Sequence, residues 1–204
     1  MIKAVIFDWG GVLIENPTLE MVRYIAEALG IDKDVVYAGV EPSLMNLFQK
    51  GLVTEDQVWE QVCATFGVPK PSVPSLWKEA FRAVYRPREE MFSLASSLRK
   101  DGYKTGFLSN TEAPGMAFFL EQQYEMFDVT IFSCAEGTAK PESLIYEIAL
   151  ERLRVKPKEA IFIDDRPDFT AGAQRVGIHA ILFESPDQAK RRLMLEGVTV
   201  KREM

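Results

Sequence analysis

Five short runs of this chain are almost wholly apolar, and between them apolar positions recur every three or four residues. The runs are residues 4–7, 104–108, 129–133, 160–163 and 179–183. Continuous rather than alternating apolar residues predict strands of a parallel sheet buried on both faces. Met91, Leu94, Ala95 and Leu98 stand at helical spacing before the second run, and Leu144, Ile148, Ala149 and Leu153 before the fourth. Strands alternating with helices predict an α/β fold with a doubly wound, Rossmann-like parallel sheet.

The stretch from about residue 18 to about residue 85 carries only helical patterns. Leu19, Val22, Ile25 and Leu29 form one stripe, ended by Gly30 as a helix stop. Thr54 and Gln57 read as a capping box, followed by Val58, Val62 and Phe66 on one face. Leu76, Ala80 and Val84 form a third stripe, after a loop marked by Pro69, Pro71 and Pro74. An all-helical segment inserted after the first strand predicts a cap over the carboxyl end of the sheet, where open α/β sheets bind ligands. The expected division is residues 1–16 and 86–204 for the core and residues 17–85 for the cap.

Composition narrows the partners. The 204 residues carry a net charge of −6, with basic residues concentrated only near the C-terminus, at Lys190–Arg192 and at Lys201 and Arg202. That balance argues against nucleic acid, whose phosphates reward basic surfaces. Cys63 and Cys134 form neither a disulfide framework nor a zinc motif with the single histidine, and are read as small buried hydrophobes. No run approaches the roughly 18 apolar residues of a membrane span. The first residues lack a signal-peptide apolar region, so a cytoplasmic location is expected. The end of the chain from Met194 is expected to be solvated. The oligomeric state is left open.

Polar residues stand at the ends of four successive predicted strands. The first ends in Asp8-Trp9-Gly10-Gly11. A strand-end carboxylate followed by glycines lies where backbone N–H groups can turn toward an anion, although an ordinary turn has the same composition. The second ends in Ser109-Asn110, whose hydroxyl and amide suit phosphate oxygens or a local turn. Lys140 follows the third, as a point charge for phosphate or as solvated surface. The fourth ends in Asp164-Asp165. Adjacent carboxylates repel unless a cation compensates, and a hard divalent ion such as Mg²⁺ would do so.

In this order the four signals resemble the motifs of the haloacid dehalogenase-like superfamily, and the helical insert sits where that superfamily places its first cap. The nearest likeness is to the branch that resembles sugar-phosphate phosphatases and the phosphatase domain of epoxide hydrolases. The resemblance implies that Asp8 is the nucleophile and that Ser109, with the backbone of Asn110, holds the transferring group. It implies that Lys140 neutralises charge on both Asp8 and phosphate. It assigns Mg²⁺ to Asp8, the Gly10 carbonyl, Asp164 and Asp165, and the substrate to Trp9, Gly10, Ser109, Asn110 and Lys140. The implied partner is a small phosphate ester.

Two positions depart from the family pattern. Relatives usually carry an acid/base aspartate at the position of Gly10, and Glu15 or Glu112 are the candidates to replace it. Four residues after Asp165 many relatives have Asn or Asp; here Phe169 stands there, with Asp168 as the nearest substitute. Trp9 is read as a substrate contact or as core packing, Arg166 as an ion-pair partner of the acidic doublet, and His179 as structural. Three functions follow in order: a Mg²⁺-dependent phosphatase, a sugar phosphate being its first substrate; a catalytically weak binding or regulatory protein; and a 2-haloacid dehalogenase.

Overall fold

The computed structural model describes residues 1–34 and 41–200. Strands β1 (Ala4–Phe7), β2 (Lys104–Ser109), β3 (Val129–Phe132), β4 (Ala160–Asp164) and β5 (His179–Leu182) form one sheet in the order β3-β2-β1-β4-β5, every neighbouring pair parallel. Each coincides with a predicted run to within a residue. The central β1 and β4 are buried throughout, whereas His179 and Leu182 of the edge strand β5 are exposed. The period of two divides β1 between two cores: Val5 and Phe7 face one, Ala4 and Ile6 the other.

Between β1 and β2 the chain forms α1 (Thr18–Leu29), α2 (Pro42–Gln49), α3 (Glu55–Phe66), α4 (Leu76–Val84) and α5 (Glu89–Lys100). Gly30 ends α1 in the left-handed conformation, and Thr54 and Gln57 exchange both hydrogen bonds of the predicted capping box. The rest of the core supplies α6 (Ala113–Glu121), α7 (Ser133–Glu136), α8 (Ser143–Leu153), α9 (Pro167–Val176) and α10 (Pro186–Leu195).

Several faces differ from the sequence reading. Helix α1 buries Met21, Ile25 and Ala26, and leaves Leu19 exposed. Leu144 is likewise exposed, while Ile145, Tyr146, Ala149, Leu150 and Leu153 of α8 are buried. Ile25 of the first predicted stripe and Ala149 and Leu153 of the second do face the core, joined by neighbouring apolar residues, while the leading leucine of each stripe turns outward. Helix α2, with Leu44 and Phe48 buried four residues apart, was not anticipated. Past Met194, Val198 is buried and the Thr199 N–H donates to the Tyr103 hydroxyl, so the chain end is anchored there. Lys201 and Arg202 lie outside the described residues. Cys63 is buried and Cys134 half-buried, and both are free thiols.

The two segments that lead into and out of the helical insert run side by side. Glu15 N–H donates to Arg86 O, Arg88 N–H to Leu13 O, and the Arg88 guanidinium to Ile14 O. Residues between β1 and β2 also pair with later parts of the chain, Lys50 with Glu142 and Lys78 and Arg82 with Glu121. The Ser133 hydroxyl adds a hydrogen bond to the Gln49 carbonyl. No described helix is long and apolar enough to cross a membrane.

Candidate active site

Asp8 extends β1 by one residue, its N–H donating to Ile163 O at 3.0 Å. The chain then turns sharply, and the Trp9 carbonyl accepts from the N–H groups of Val12, Leu13 and Ile14. Gly11 makes the turn possible. Its φ is +98°, and a Cβ there would lie 2.1 Å from an Asp165 carboxylate oxygen. The second glycine of the first motif therefore makes room for the acidic doublet of the fourth.

Lys140, 132 positions from Asp8 in sequence, reaches the same point in space. Its Nζ donates to Asp8 Oδ1 at 2.5 Å, to Asp164 Oδ2 at 2.6 Å and to the Leu108 carbonyl at 3.3 Å. The side chain is 1 % exposed, so these bonds replace all of its hydration. The Asn110 carboxamide braces it by accepting from Lys140 N–H at 2.8 Å and donating to Lys140 O at 2.9 Å. That side chain is thus spent on the lysine backbone rather than turned toward a phosphate.

Both oxygens of Asp164 are occupied, one by Lys140 and the other by the Arg166 N–H at 2.9 Å. The Arg166 guanidinium forks onto Asp168, at 3.1 and 2.7 Å, not onto the acidic doublet as expected. Asp168 is thereby held away as a substitute ligand. Phe169 takes the position between, with Arg166 Cζ 4.0 Å and Lys140 Nζ 4.8 Å from its ring centroid. An aromatic face thus meets two cations at this position.

Carboxylate oxygens of Asp8, Asp164 and Asp165 lie within 4.8 Å of one another. Burial raises the Asp8 carboxyl to about 7, against the pull of Lys140 and with help from Asp164. Burial also raises Asp165, and Asp164 adds to it. Burial alone would lower Lys140, but Asp8 and Asp164 together hold it above the ordinary lysine value. Three carboxylates with one ammonium leave an excess of negative charge, which fits an oxygen-preferring divalent cation.

A cavity of about 420 Å³ opens on Asp8, Gly10, Ser109, Asn110, Lys140 and Asp165. Its other walls come largely from the insert, including Met21, Ile25, Met45, Val58, Trp59 and Trp77. All three tryptophans of the chain border it. The Trp9 indole is 2 % exposed and packs on Phe81, Phe107 and Phe119, so packing dominates its environment. Glu112 lies in this cavity wall, whereas Glu15 borders a different surface depression. His179 stands apart on the sheet edge, 3.1 Å from Glu196. Sequence reasoning missed Trp77, Gln49 and the insert methionines, because nothing in their spacing separates a cavity wall from a core face.

A haloacid dehalogenase-like hydrolase family model matches residues 2–177. The chain is 32 % identical over 201 residues to mouse acyl-CoA dehydrogenase family member 10, covering 94 % of this chain and 19 % of that protein. It is 28 % identical over 179 residues to the sesquiterpene phosphatase of Aspergillus oryzae, covering 86 % and 87 % respectively. The chain thus spans less than a fifth of the first relative and most of the second. A HAD family enzyme of Bacteroides thetaiotaomicron, solved as a magnesium complex, has a TM-score of 0.75 at 22 % identity, covering 90 % of this chain and 93 % of that one. The chain belongs to the haloacid dehalogenase-like hydrolase family.

Proposed function

We propose that this protein is a Mg²⁺-dependent phosphatase that hydrolyses a small phosphorylated metabolite through an aspartyl-phosphate on Asp8. The observation that carries this reading is the 2.5 Å contact of Lys140 with Asp8 inside a cluster of three carboxylates. Phosphatases among the relatives and the magnesium complex of the structural neighbour support it. Asp8, Asp164 and Asp165, with the Gly10 carbonyl, would hold the ion. When bound, Mg²⁺ supplies positive charge for the phosphoryl oxygens.

Asp8 attacks phosphorus, and the bond from phosphorus to the ester oxygen breaks, with its electron pair going to the departing oxygen, which takes a proton from solvent water to leave as the alcohol. Water then attacks the same phosphorus, gives up a proton to solvent and restores the carboxylate, releasing inorganic phosphate. Splitting one displacement into two is the gain of covalent catalysis. Lys140 balances charge on Asp8 and on the transferring group, while Ser109 and the Asn110 backbone orient its oxygens. Gly10 gives the leaving oxygen no proton, and this favours a second reading as a catalytically weak binding protein.

The test is a Mg²⁺-dependent screen of phosphorylated metabolites, sugar phosphates included, run beside Asp8→Asn. Measurable phosphate release that both the substitution and EDTA abolish is expected. Full activity in Asp8→Asn refutes the mechanism, and tight metabolite binding without turnover favours the second reading.

A further inference from the structure

Glu112 sits between β2 and α6, where core and insert meet on the cavity wall. It is 7 % exposed. Its Oε2 accepts from the Trp77 indole N–H at 3.0 Å, and Trp77 in turn packs on Phe48 and Trp59. Among the described residues no lysine, arginine or histidine forms an ion pair with it. Burial raises its carboxyl above the usual range, against hydrogen bonds from Gln49 and Trp77 that pull it down.

The two cations on the same wall already have carboxylate partners, Lys140 fully buried and Arg166 more than half exposed. Lys140 is bound by Asp8 and Asp164, and Arg166 by Asp168. A substrate bearing a second anionic group would have to bury it beside a carboxyl with no cation to meet it. Asn16, Thr18, Gln49 and Thr111 give the wall a few polar positions, but Met21, Ile25, Met45, Val58, Trp59 and Val62 make most of it apolar. An uncharged, largely apolar body matches these walls.

We infer that Glu112, held by Trp77, is a specificity-determining residue that selects phosphate monoesters with an uncharged, largely apolar organic part and rejects those carrying a second acidic group. The inference rests on the phosphatase reading and adds the substrate class to it.

Acetyl phosphate, benzyl phosphate and 3-phosphoglycerate, each with Mg²⁺, separate the two. In the native protein kcat/KM for benzyl phosphate should exceed that for 3-phosphoglycerate by about 100-fold or more, as expected when a buried polar group opposes an unmatched ligand. Glu112→Lys should narrow this ratio at least ~10-fold, chiefly through KM, with acetyl phosphate as the internal reference. Glu112→Gln, which keeps the side-chain shape and adds no cation, should narrow the ratio less than Glu112→Lys does. Equal use of 3-phosphoglycerate and benzyl phosphate by the native protein overturns the inference. So does an unmoved ratio in folded Glu112→Lys, or an equal kcat loss on all three esters in Glu112→Gln, which would assign the carboxyl to proton transfer. Absence of turnover on any ester, acetyl phosphate included, removes the phosphatase reading itself and the inference with it.

Discussion

Lys140→Met isolates the charge that organises the cluster. Methionine keeps most of the side-chain volume and the contact with the Phe162 and Phe169 rings, so the main change is loss of an ammonium that is 1 % exposed. Removing one member of a buried ion pair costs about 3–5 kcal/mol when the partner stays charged. That is a large part of the ~5–15 kcal/mol that holds a domain folded. The cost depends on pH because Asp8 can take up a proton instead. Its carboxyl is already raised from 3.8 to about 7, chiefly by burial, and Lys140 is the main influence opposing that rise. Without the lysine it moves higher still. A raised folded value means that the native state keeps a proton the unfolded chain has released. Stability is therefore present at low pH and lost as pH climbs through the folded value. Below pH 7 both proteins carry the proton and differ least. Above it the variant still carries the proton, and ΔΔG grows by up to about 1.4 kcal/mol per pH unit. Urea unfolding without divalent ions, at unit steps from pH 6 to pH 9, measures this directly. A ΔΔG that stays flat over that range refutes the assignment of Lys140 as the counter-charge of Asp8.

Mg²⁺ should raise the melting temperature more at pH 8 than at pH 6, since Asp8 must release its proton to act as a ligand; at 100 times Kd the stabilisation is about 2.7 kcal/mol. Equal shifts at both pH values in thermal unfolding, with EDTA as the control, would contradict this. Gly11→Ala should displace the Asp165 carboxylate, whose oxygen stands 2.1 Å from the new Cβ, and cost about 1–3 kcal/mol through the positive φ. The same melts should show its Mg²⁺ response lost. Asn110→Ala removes both hydrogen bonds to the Lys140 backbone, and should lower stability by about 1–3 kcal/mol while lowering kcat more than KM changes. Steady-state kinetics with denaturant unfolding decide it, and an unaltered kcat would deny Asn110 its positioning role.

The strands were legible because burial on both faces leaves an unmistakable apolar run, as in Ala4–Phe7 and Ala160–Asp164. Helix faces were less so. In α1 the rows through Leu19 and through Met21 are both apolar, and only packing decides that Met21 and Ile25 go inward. Asp8 and Lys140 each look ordinary in sequence; it was their order along the chain that linked them, and no local pattern measures a 2.5 Å contact across 132 residues. Phe169 could be read only as a missing polar residue. That its ring lies against Lys140 and Arg166 depends on the turn of α9. Glu15 and Glu112 were equivalent candidates on paper, and the path of the insert placed Glu112 alone of the two at the cavity.

Charge in this site is concentrated at the tips of the central strands. Asp8, Lys140, Asp164 and Asp165 all gather there or reach them, so under the proposed phosphatase mechanism their fields would act on phosphorus and its oxygens. Gly10 offers a departing oxygen no proton donor, and a Cβ placed there would meet Pro17 at 3.3 Å. A proton donor at this position would have to press against the first residue of the insert. Under the phosphatase reading, the barrier to departure then falls on the substrate: the more acidic its alcohol, the less it needs a donor. Remote binding energy offers a second contribution, because contacts along the organic group can hold the ester in line with Asp8. The apolar walls of the insert are the part of this protein able to make such contacts, which ties the rate of the chemical step to the residues that choose the substrate.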